Sequence, residues 1–139
     1  LGKRNKTVAT HKQSITIPSG MIDETDIVDG CKINAFSAMN RELFEEIFLS
    51  YDEISDIFCM GLIFNRKNRQ TFLPFFCKTY LTADEIQKKF SHNKLNLEFS
   101  FLFTPSLKSN LRKELHDMMM SDILLPTIEI FSKITHCDI

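Results

Sequence analysis

Apolar residues along this chain recur first at every second position, then at helical spacing, and then in continuous runs. Each regime predicts its own element. Residues 14–17 alternate, are rich in β-branched side chains and run into Pro18-Ser19-Gly20, which predicts a short strand closed by a turn. An acidic loop over 21–30 follows, and residues 31–35 predict a brief strand or an entry turn. Phe36, Met39, Leu43, Phe44, Ile47 and Phe48 then recur three and four residues apart, with Arg41, Glu42, Glu45 and Glu46 turned outward. That pattern predicts a helix near 37–50.

Residues 57–64 and 71–81 are continuous apolar runs on either side of the polar insert Asn65-Arg66-Lys67-Asn68-Arg69-Gln70, which predicts a hairpin. Pro74 has no N–H to give a ladder, so the second strand is expected to lie at an edge or to bulge there. Thr82 with Glu85 three residues later forms a capping box, and Leu81 and Ile86 are placed as its apolar staple, so a helix is predicted over 83–91. Leu95, Leu97, Phe99, Phe101 and Phe103 alternate with Asn96, Glu98 and Ser100, the pattern of a half-buried strand with one fully apolar face.

Thr104-Pro105 opens a further helix, with Leu107, Leu111, Leu115, Met118 and Met119 as its inner stripe. Pro126 ends or restarts it, and Ile128, Ile130, Phe131 and Ile134 continue an apolar helical surface. The order β-α-β-β-α-β-α-α predicts an α+β fold: a single domain with an antiparallel or mixed sheet of about four strands and helices packed on one face. Its 139 residues suit one domain. Residues 1–13, polar and basic, are expected to be a flexible basic lead-in, and residues 14–139 the domain.

Composition narrows the class. Thirteen Phe against two Tyr and no Trp favour a dry core over a polar groove. No apolar run approaches the roughly 18 residues that cross a bilayer, so no membrane insertion is expected. The start has no apolar signal region and no initiator Met, which reads as a piece of a larger protein. Cys31, Cys59, Cys77 and Cys137 stand far apart, without the close pairs of a zinc site. They are expected to be free thiols in a reducing, intracellular compartment, cytoplasm or nucleus, with Cys59 and Cys77 acting as small hydrophobes. No metal and no cofactor is expected.

Charge is segregated although the net charge is only -1. Residues 1–12 carry +4, residues 13–56 carry -8, residues 57–94 carry +5, and residues 95–139 carry -2. Such alternation folds into complementary faces or marks surfaces for differently charged partners.

Catalytic signatures are sparse. No phosphate-binding glycine loop and no nucleophile elbow is present. The three-residue spacing of Asp23, Asp26 and Asp29 does not match an EF-hand, and a solvated acidic loop is expected. His136-Cys137-Asp138 is a run of neighbours at the chain end rather than a preorganised site, and an enzymatic reading would need Cys-His chemistry at His92 or His116. Ile57-Phe58-Cys59-Met60-Gly61-Leu62 resembles the first-strand signature of an RNA-recognition domain, and Phe99-Ser100-Phe101-Leu102-Phe103 faintly resembles its aromatic third strand. That fold needs a helix after the first strand, whereas a polar loop and a second strand follow here.

Interaction surfaces remain. Met118, Met119 and Met120 cover most of a helix's circumference, and Ile123, Leu124 and Leu125 extend the apolar surface towards Ile134. The leading expectation is a non-catalytic protein–protein interaction or assembly domain, docking a protein partner or a second copy of itself. The contact residues would be Met118, Met119, Leu124, Leu125, Phe131 and Ile134, with Leu124, Phe131 and Ile134 as anchors. The alternative is a nucleic-acid-binding module using Lys3, Arg4 and Lys6 of the lead-in together with Arg66, Lys67 and Arg69.

Overall fold

The computed structural model describes residues 1–4, 14–93, 98–105, 115 and 118–135. In chain order the strands and helices are β1 (Gly2–Arg4), β2 (Ile15–Thr16), β3 (Ile27–Val28), β4 (Lys32–Ile33), α1 (Ala35–Ile47), β5 (Ile54–Cys59), β6 (Ile63–Asn65), β7 (Gln70–Phe72), β8 (Phe75–Thr79), α2 (Ala83–His92), β9 (Phe99–Leu102) and α3 (Leu124–Thr135). The mixed α+β class holds. The expected single sheet of about four strands does not, because the described strands pair antiparallel into small sheets of two or three. Strands of two to six residues are too short to propagate a wider ladder.

The three-stranded sheet runs β2-β1-β9. Gly2–Arg4, at the start of the segment read as a lead-in, is therefore its middle strand; Lys6 and His11 lie outside the described residues. Lys3 faces Phe101 while Arg4 faces Phe99, so Ser100 is an extra residue in β9 and its hydroxyl donates to the Lys3 carbonyl (3.0 Å). Such a bulge reverses the alternation across it. Phe99 and Leu102 are consequently buried, and Phe101 is 46% exposed rather than part of one apolar face. Leu95 and Leu97 lie outside the described residues.

Ile15, Leu115, Leu124 and Ile128 form the core cluster, flanked by Ile17, Phe103 and Met120. The chain from Met119 to Ser121 runs beside β2. Ile15 N–H donates to the Met119 carbonyl (2.7 Å), and Ser121 N–H returns to the Ile15 carbonyl (3.0 Å). The buried hydroxyls of Ser121 and Thr16 satisfy each other at 2.9 Å. Pro126 sits in the first turn of α3, so it restarts the helix rather than ending it. Of the helix expected after Pro105, only Leu115 and Met118 onward are described.

The boundaries of α1 follow its caps. Asn34 Oδ1 accepts from Phe36 N (3.1 Å) and Ser37 N (3.2 Å), which starts the helix two residues early. Phe48 closes it in the left-handed region (φ 59°), with its N–H on the Leu43 and Phe44 carbonyls. The buried arc is turned from the expected stripe towards Ala38, Leu43 and Glu46, leaving Phe36 and Phe44 exposed. Phe36 instead meets Phe75 edge-on, with ring centroids 5.2 Å apart.

The expected hairpin is present in two tiers. β5 pairs with β8 and β6 with β7, and the ladder breaks between them where Met60 N–H reaches the Pro74 carbonyl (2.8 Å). Proline supplies no donor there, and Gly61 (φ 140°) takes up the change of direction. Phe58, Phe76 and Phe131 stack in series (5.0 and 5.8 Å), which seats α3 on the hairpin. The Thr82–Glu85 capping box forms as predicted: Thr82 N–H donates to Glu85 (2.8 Å) and Glu85 N–H to Thr82 Oγ1 (3.3 Å).

Candidate interaction surface

The six C-terminal candidates divide by burial. Leu124 is 0% exposed and belongs to the core, so it is no anchor for a partner. Phe131 is half-buried and spends one ring face on Phe76. Met118, Leu125 and Ile134 are exposed, and Met119 is 69% exposed. The last helix, whose Ile128, Ile130, Phe131 and Ile134 were expected to continue the apolar surface, carries exposed Glu129 and Lys133 and is amphipathic. It buries Leu124, Thr127 and Ile128 because that face meets β2 and Leu115.

The basic candidates do not form one site. Lys3 and Arg4 sit in β1, and the Arg4 guanidinium pairs with Glu98 at 2.5 Å, so its charge is already compensated. Arg66, Lys67 and Arg69 sit at the turn of a different sheet, fully outside the core. Asn65 Oδ1 accepts from Lys67 N (3.0 Å) and Asn68 Oδ1 from Gln70 N (3.2 Å), which fixes the turn. Arg69 is left-handed there (φ 56°). Among the described residues no acid comes within ion-pair distance of these three bases.

Two exposed apolar surfaces escaped the sequence reading. The first is the β6–β7 arm, where Phe64 faces Thr71 on an open side and Leu62 and Leu73 flank it, all exposed. The second is the β3–β4 hairpin, where Ile27 faces Ile33 and both are exposed together with Val28 and Met21. The signal for this hairpin is Asp29-Gly30: both residues have positive φ (52° and 71°), and Cys31 N–H closes on the Val28 carbonyl (3.3 Å).

The acidic loop is tied down rather than freely solvated. Arg41 donates to Asp26 Oδ2 (3.0 Å) and to the Met21 carbonyl (2.9 Å), and Asp26 also accepts from Asp23 N (3.0 Å). The Arg41 hydrogen bond, then the Asp23 N–H, hold the buried Asp26 carboxyl below its ordinary pKa. Asp23, Glu24 and Asp29 stay exposed.

Two acids expected to face water turn inward instead. Glu46 is buried and accepts from Ser19 N (2.7 Å). Burial, opposed by that hydrogen bond, pushes its pKa up to about 8. One turn away Glu42 is raised too, by burial, and it lies so close to Gly20 that a Cβ there would overlap its carboxyl. These carboxyls join α1 to the segment after β2, which is a packing role. Among the described residues no group of His, Cys, Asp and Glu is placed to hold a metal ion.

Cys31, Cys59 and Cys77 are free thiols as expected, but Cys59 does not act as a buried hydrophobe. Cys59 is exposed, with Sγ towards the Gly61 carbonyl (3.2 Å), because it points out of a two-stranded ladder with no layer over it. Cys31 is exposed and free. Cys77 is half-buried, and burial raises its pKa to about 11. His92 Nδ1 lies 2.7 Å from the Lys88 carbonyl on exposed α2; His116, His136 and Cys137 lie outside the described residues. No helix among the described residues is long and apolar enough to cross a membrane. No protein-family model, curated protein or solved structure matches the chain.

Proposed function

We propose that the chain is a non-catalytic interaction domain that docks a protein partner through Met118, Met119, Leu125 and Ile134. One observation carries this reading: Met119 is 69% exposed although its backbone carbonyl is pinned to Ile15 N at 2.7 Å. A flexible thioether on a backbone held against β2 fits varied apolar surfaces without the cost of ordering a loop. Free thiols exposed at Cys31 and Cys59 fit a reducing compartment.

The test replaces Met118 and Met119 with photo-reactive methionine analogues, identifies the cross-linked proteins, and measures each one's binding to Met118→Lys/Met119→Lys. The reading expects unchanged circular dichroism and at least a roughly tenfold loss of affinity, the size of a lost apolar anchor. Equal binding by the folded variant to every cross-linked protein overturns it.

A second reading, nucleic-acid binding, is favoured by the uncompensated Arg66, Lys67 and Arg69 at an exposed turn. Three bases support only weak binding that falls with salt. A flat titration with an oligonucleotide at low salt removes it.

A further inference from the structure

The β6–β7 arm and the β3–β4 hairpin are both two-stranded, and both leave apolar side chains in water. Phe64, Leu62 and Leu73 are exposed on the arm, whose outer end carries Arg66, Lys67 and Arg69 and no acid. Met21, Ile27 and Ile33 are exposed on the hairpin and its approach, Met21 at 83%. The acids beside them are Asp23, Glu24 and Asp29; Lys32 pairs with Asp29 at 3.3 Å and Arg41 with Asp23 at 3.6 Å, which leaves Glu24, among these three, with no ion pair among the described residues.

Two-stranded ribbons are marginal in water unless something covers a face. Neither ribbon covers the other within one chain, since both stay exposed. They are complementary in sign and alike in having apolar strips, which is the combination that specifies a partner. We propose that two copies of this chain associate reciprocally, the basic β6–β7 arm of each lying on the acidic β3–β4 hairpin of the other. A two-fold arrangement uses both surfaces of both copies, so no unpaired arm remains to extend the assembly. The residues of these two ribbons are other than Met118, Met119, Leu125 and Ile134, so this proposal and the docking reading are tested by different variants.

Sedimentation equilibrium from micromolar to submillimolar concentration tests this. A dimer is expected at low salt, weakened roughly tenfold by high salt, since surface ion pairs are screened. Arg66→Glu/Lys67→Glu and, separately, Glu24→Lys each weaken the dimer. None of these positions has a left-handed backbone or a buried side chain. Mixing the two variants decides the matter: in the mixed pair one contact has both charges reversed and the other is native, so dimer returns. Two variants that remain folded yet stay monomeric when mixed overturn the proposal. So does a native chain that is monomeric throughout, including one whose arm binds an oligonucleotide instead, and so do variants that dimerise as tightly as the native chain.

Discussion

Arg41 Nη2 lies 3.0 Å from Asp26 Oδ2, and this contact fastens the acidic loop to the first helix. Arg41 also reaches Glu42 (2.6 Å) and the Met21 carbonyl, so its removal strands several acceptors at once. Arg41→Met is expected to lower the midpoint of thermal unfolding by about 5 °C. It also frees the 21–26 segment, read as faster amide exchange at Asp26 and Asn34, whose N–H groups are bonded to Asp23 and Asp26 carbonyls. Because Asp26 is held below the ordinary carboxylate range, this stabilisation is present above that range and is lost as pH falls through its lowered value. A loop whose exchange is unchanged in Arg41→Met would show that the contact does not hold it.

Glu46 gives the opposite pH dependence. Its pKa is raised from 4.5 to about 8, so between those values the folded chain binds a proton that the unfolded chain has released. Stability is full below about pH 4.5 and declines as pH rises towards 8. Glu46→Gln keeps the shape and an acceptor for Ser19 N, and it removes the charge. It is expected to flatten the decline and to stabilise the chain at pH 8 by about 1–2 kcal/mol. Urea unfolding at pH 5, 7 and 8.5 measures this, and a variant less stable at pH 8 contradicts it.

The fold was readable where one residue type decides. Thr82 and Glu85 cap α2, and Pro74 breaks the ladder, because the capping box and the missing N–H act locally. Ser100 was unreadable: a bulge depends on which strand pairs with β9, and that strand is Gly2–Arg4, a polar tripeptide with no strand signature. Glu46 was misread because α1 packs with its buried arc turned, and an acid one turn from Glu42 looks solvent-facing until Ser19 N is found opposite it. At the candidate site Met118 and Met119 are exposed, but on a non-helical segment that runs beside β2 rather than on the expected helix, because Met119 and Ser121 bond to Ile15; Leu124 differs from Leu125 only in where helix α3 begins. The Asp29-Gly30 turn was a legible hairpin signal, but its flanking strands are only two residues long.

Lys89 Nζ lies 2.5 Å from Glu53 Oε1, which joins α2 to the turn over Tyr51–Glu53. The lysine first, then the Ser50 hydroxyl and N–H, lower the Glu53 pKa to about 2. Both side chains are partly solvated, so Lys89→Met is expected to cost no more than about 1 kcal/mol. The native pair stabilises the fold above the unfolded carboxyl's pKa of 4.5 and fades as pH falls towards 2. Chemical denaturation at pH 3 and pH 7 should show the variant and the native chain converging at the lower pH. A constant gap between them would assign the effect to packing of the lysine stem.

Phe131 separates stability from docking. Its ring stacks on Phe76 at 5.8 Å and 14°, and Phe76 stacks on Phe58, so the helix end leans on the hairpin through one aromatic column. Truncation to Phe131→Ala removes a half-buried ring and one stacked pair, a loss of about 2–3 kcal/mol. Phe131→Leu keeps most of the apolar volume and is expected to recover more than half of that. If Phe131 were chiefly a docking anchor, both variants would unfold at the native urea midpoint and differ only in partner affinity. The stacking geometry requires instead that the midpoint drop in the order native, Leu, Ala, while Met118→Lys/Met119→Lys stays near the native value.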